Sequence, residues 1–116
     1  MKRALVSISA GLILAVAASA QSSNMTTAAM ADLTKQYCSG CHNERLKSGG
    51  FSFTAIDFAH LDKSVEQAEK VIQKVRAGMM PPPGAPRPEA AILTAFAASL
   101  EAKLDEFAME IGRAHV

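Results

Sequence analysis

Apolar positions recur at helical spacing in three stretches of this chain. Met30, Leu33 and Tyr37 fall at i, i+3 and i+7, one face of a helix. Asn24, Thr26 and Thr27 just before them offer side-chain oxygens that can cap its first amides. Val65, Ala68, Val71, Ile72 and Val75 form a second stripe, opposite Glu66, Glu69, Lys70, Gln73 and Lys74. Asp62 or Ser64 begins that helix, and Ser64-x-x-Gln67 resembles a capping box. Lys74 and Arg76 complement its C-terminal dipole, and Gly78 sits where a left-handed residue stops a helix. The third stripe, Ile92, Leu93, Phe96, Leu100, Leu104 and Phe107, is the strongest. Pro88 at its first position and Glu89 after it mark the start, and the stripe ends near Phe107. This last helix is expected to cross the first and close the domain.

Two intervals break the period. From Asn43 to Asp57 the pattern is lost, with a turn at Ser48-Gly49-Gly50. Phe51 and Phe53 alternate about Ser52 as in a short extended segment, and Phe58 follows closely. From Met79 to Pro88 the chain carries all five of its prolines, whose fixed φ and missing amide hydrogens make a stiff loop outside any helix.

The ends change the picture. Lys2 and Arg3, the apolar run Leu5–Ala17 and the small residues Ala18-Ser19-Ala20 read as an export signal, residues 1–20, cleaved before Gln21. The apolar run is short against the roughly 20 residues of a membrane span, so no stable span is expected after cleavage. Glu110 to Val116 has neither the helical period nor a stop signal. Residues 110–116 look like a translated sequencing adapter, which implies that the native chain continues past Met109 and that His115 is no ligand candidate. About ninety residues remain, one domain with a thin side-chain core. Removing Lys2 and Arg3 takes the formal charge from +1 to −1, and no basic cluster suggests nucleic-acid binding.

The first helix runs straight into Cys38-Ser39-Gly40-Cys41-His42. Two thiols three positions apart with histidine directly after the second is the arrangement that attaches haem c: each sulfur reaches one porphyrin vinyl position, and His42 is the proximal ligand. A thioredoxin-like pair would need a βαβ setting. A zinc site needs four ligands, and this chain has two cysteines and three histidines, with His60 and His115 at unrelated spacings. A plain disulfide would close a very short loop and leave His42 unexplained. Export strengthens the haem reading, because c-type attachment takes place outside the bacterial cytoplasm, and a covalently held macrocycle would supply the missing core. Tyr37 is a packing residue beside it.

Stiffness in the proline loop suits it to holding a weak thioether on iron. Met80, directly before Pro81, is the candidate distal ligand and Met79 the runner-up. Met79, nearer the helix end, should turn back toward Val71 and Val75. Among the cations, Arg76 and Arg87 are candidates for haem propionates or a partner, whereas Arg45, Lys47 and Lys74 read as solvated surface.

With both motifs placed, residues 37–107 resemble the planctomycete-type cytochrome c domain. The matching residues are Tyr37 to Lys47, Gly50, the run Lys74 to Pro88, and Leu100-Glu101. The resemblance implies covalent haem through Cys38 and Cys41, His42 as one axial ligand and a methionine of the Met79-Met80 pair as the other. It also implies that the domain heads a longer exported protein. The expectation is therefore an all-α, class I cytochrome c-like fold of three to four helices around one haem, spanning residues 21–109. Its function would be periplasmic electron transfer, without enzymatic activity of its own, to a redox partner protein or to fused C-terminal domains. A haem enzyme or sensor with a labile sixth site is one alternative, and a haem-free thiol–disulfide oxidoreductase is the other.

Overall fold

The computed structural model describes residues 24–115, so the export-signal reading of residues 1–20 lies outside the described residues. Those residues are all-helical. Three α-helices, α1 (Thr27–Tyr37), α2 (Val65–Arg76) and α3 (Ala90–Ala114), are joined by loops carrying single 3-10 turns at Ser48–Gly50, Phe53–Ala55 and Leu61–Lys63.

Each helix begins and ends for a local reason. Thr26 caps α1: its Oγ1 accepts from the Ala29 amide at 3.1 Å. The capping box expected at Ser64 does not form. Ser64 precedes α2 in a non-helical conformation and its side chain caps nothing. At the other end of α2, Gly78 adopts φ 69°, while the Gly78 amide bonds the Val75 carbonyl and the Met79 amide the Lys74 carbonyl. This is the Schellman closure expected of a left-handed glycine. In α3 the first bonds go to the Glu89 carbonyl, which makes Glu89 the N-cap and places Pro88 one residue before the helix rather than inside it. α3 also runs on past Phe107 to Ala114, with every residue from Ala108 to His115 exposed.

Burial follows the three stripes closely. Met30, Leu33, Ala68, Val71, Ile72, Phe96 and Leu100 share one core with Phe53, Phe58 and Leu61 from the connecting loop. Phe96 is its centre, 1% exposed and edge-on to Phe58 at 6.3 Å between ring centroids. Ile92 departs from its expected place: it lies in the first turn of α3, beyond the core, and is exposed.

The most extensive helix packing is α2 on α3, rather than α3 on α1. Ala68 and Ala97, each 1% exposed, keep the buried faces of those two helices slim. Across their outer edge Arg76 of α2 pairs with Glu101 of α3, an exposed contact worth at most about 1 kcal/mol. α1 joins α3 through the shared core and through one buried polar tie. The Met25 amide donates to Ser99 Oγ at 2.7 Å, and that hydroxyl donates to the Ala95 carbonyl at 2.7 Å. Ser99→Ala should leave the Met25 amide without its partner and cost about 1–2 kcal/mol, read from chemical denaturation.

Candidate functional site

α1 delivers the Cys38–His42 segment. The Cys38 and Ser39 amides both bond the Thr34 carbonyl, at 2.9 and 2.8 Å, which ends α1. The Cys41 and His42 amides then return to the Cys38 carbonyl at 3.2 and 3.0 Å, so the whole motif is one tight turn. Cys38 is half-buried and Cys41 exposed, and both thiols are free. Burial pushes the Cys38 thiol up to about 11.

Asn43 fixes that turn. Its Nδ2 donates to the Ser39 and Gly40 carbonyls at 2.8 and 3.1 Å, while its Oδ1 accepts from the Arg45 and Leu46 amides at 3.1 and 2.9 Å. One amide side chain thus closes the motif on one side and starts the next turn on the other. The sequence signal is an asparagine at the start of a polar turn, a residue type that bonds nearby backbone.

The segment after Asn43 folds back over His42. Ser48 donates to the Cys41 carbonyl at 3.2 Å and Phe53 to the His42 carbonyl at 2.9 Å. Between them, Phe51 stacks on the imidazole at 4.6 Å between centroids and 27° between planes, and Phe53 meets it edge-on at 5.8 Å. Gly49, at φ 70°, closes the rim: a Cβ there would lie 3.6 Å from His42 Cε1. Inside this enclosure His42 Nδ1 is buried and has no hydrogen-bond partner. An unsatisfied buried polar atom costs about 1–3 kcal/mol.

Met79 and Met80 lie in the α2–α3 loop, whose Met80–Pro81 peptide is cis. Met80 is half-buried. Met79 does not turn back toward Val71 and Val75. It is 52% exposed, with Lys74 Nζ donating to its sulfur at 3.8 Å. The left-handed turn at Gly78 reverses the chain and carries Met79 outward. Arg76 and Arg87 are both engaged within the protein, Arg76 with Glu101 and Arg87 with the Pro81 carbonyl. His60 is exposed and its Nδ1 pairs with Asp57 at 2.8 Å, a contact that holds the Asp57 carboxyl below its usual range.

A cavity of about 390 Å³ opens behind Phe51, between Lys47 and the start of α2, but neither thiol, His42 nor either methionine lines it. Of the two thiols, Cys41 is open to solvent, whereas Cys38 packs against the edge of the core. Among the described residues no group of three or more His, Cys, Asp or Glu side chains could hold a bare metal ion, and no helix is long and apolar enough to cross a membrane. The donor set does fit a covalently anchored haem: two free thiols on one turn and an adjoining imidazole, its ring stacked on Phe51 and edge-on to Phe53. Comparison with protein-family models, curated proteins and solved structures finds no match to this chain.

Proposed function

We propose that residues 21–109 form a monohaem c-type cytochrome domain that transfers single electrons in the periplasm, with a class I cytochrome c-like arrangement of its helices. The observation that carries this reading is the Cys38–His42 turn, where two free thiols directly adjoin an imidazole held in place by Phe51 and Phe53. Cys38 and Cys41 would hold the haem edge by thioethers, His42 would be the proximal ligand and Met80 the distal one. When bound, the haem iron supplies a one-electron ferrous–ferric couple. The protein's share is orientation and exclusion of water. Phe51 and Phe53 fix the plane of the imidazole, Asn43 fixes the turn that carries it, and the proline loop limits the freedom of Met80.

The half-buried Cys38 thiol, pushed up by desolvation, lacks the lowered pKa that marks catalytic thiols of the haem-free oxidoreductases. Expressed with a c-type maturation system, the wild type should retain its haem through acid–acetone extraction. Cys41→Ala should bind by one thioether or fail to accumulate. Full release of haem from the wild type would remove the assignment.

A further inference from the structure

We propose that Arg87 is a positioning residue for Met80, closing the neck of the loop that presents the thioether. The inference rests on the reading of Met80 as the distal ligand. Arg87 stands between Pro86 and Pro88, so its backbone is held on both sides and excluded from the helical region. Its Nη1 donates to the Pro81 carbonyl and reaches the Gly78 carbonyl at 3.5 Å. Those two carbonyls flank the Met79-Met80 pair. No backbone amide among the described residues serves either of them. One guanidinium nitrogen therefore faces both carbonyls at the base of the loop, where Pro81 and Pro88 are buried.

The chemistry gives this contact a purpose beyond stability. A thioether is a weak, uncharged ligand that bonds iron only while its loop stays in place. Hydroxide and amines compete for the iron more strongly as pH rises. A charge-assisted bond to the Pro81 carbonyl holds the Pro81–Pro82 peptide, one residue beyond Met80, and so restrains the chain from which the methionine projects. Arg87, a candidate for propionates or a partner by its charge, uses Nη1 for the loop carbonyls.

The test uses ferric holoprotein and follows the weak far-red absorption of a thioether–iron bond as pH rises. Compared with wild type, Arg87→Ala should lose the band at a pH lower by about one unit, a tenfold weaker hold. Arg87→Lys, which keeps the charge but not the planar fork, should fall between them. Ser99→Ala, which destabilises the domain away from the loop, should keep the wild-type midpoint. A band in wild type with an unmoved midpoint in Arg87→Ala overturns the positioning role and leaves Met80 as the ligand. An equal shift in Ser99→Ala also overturns it, because general destabilisation then suffices. If Arg87→Ala does not accumulate, an unmoved midpoint in Arg87→Lys has the same force. No band in wild type removes the Met80 reading and this proposal together.

Discussion

On the proposed ligation by His42 and Met80, Met80→Ala should abolish the thioether–iron band and lower the midpoint potential by about 100 mV or more, since axial ligand identity is among the strongest controls on haem potential. The direction follows from the ligand: methionine opposite histidine favours ferrous iron, so its loss favours the ferric form. Met79→Ala keeps the band and costs well under 1 kcal/mol, because a side chain already 52% exposed gives up little burial. Spectroelectrochemistry of both variants checks the pair. Loss of the band in Met79→Ala with its retention in Met80→Ala would transfer the role to Met79. An unchanged spectrum in both single variants and in the double variant would end methionine ligation.

Phe96→Ala should be the most damaging core substitution. Phe96 is among the largest fully buried side chains and touches Phe58 edge-on. Its removal costs about 3–5 kcal/mol, against a total of about 5–15 kcal/mol for a domain of this kind. At about 4–8 °C per kcal/mol the thermal midpoint falls by about 12 °C or more. Circular dichroism of the holoprotein during heating reads it. A drop below about 5 °C would mean that Phe96 is not the centre of the core.

Legibility in the sequence divides along a physical line. The helices were readable because burial imposes a 3.6-residue period, and Met30, Ala68, Val71, Phe96 and Leu100 carry it. Gly78 was readable because a left-handed stop favours glycine. Where burial ceases, the period says nothing. From Ala108 onward α3 faces solvent, and its helicity there follows from helix-forming residues such as Ala108, Met109, Glu110 and Arg113 rather than from a core.

The site divides the same way. That Cys38, Cys41 and His42 fall together was legible because they are neighbours in sequence, and the structure folds them into one tight turn. The direction of Met79, the engagement of Arg87 with Pro81 and the stacking of Phe51 on His42 depend on how the chain returns on itself, which spacing does not encode. Ile92 shows a related limit: its apolar character suits the stripe, but it lies in the first turn of α3, where it is left exposed.

The return of residues 48–53 over the motif has a kinetic meaning. The amides of Ser48 and Phe53 are held by the carbonyls of Cys41 and His42, and the ring of Phe51 travels between them. Opening this flap frees both amides and unstacks the imidazole in one event. Their hydrogen–deuterium exchange should therefore slow together when the histidine is engaged, by a common factor. Two backbone protons then report how often the His42 ring comes loose, without any signal from the ring itself.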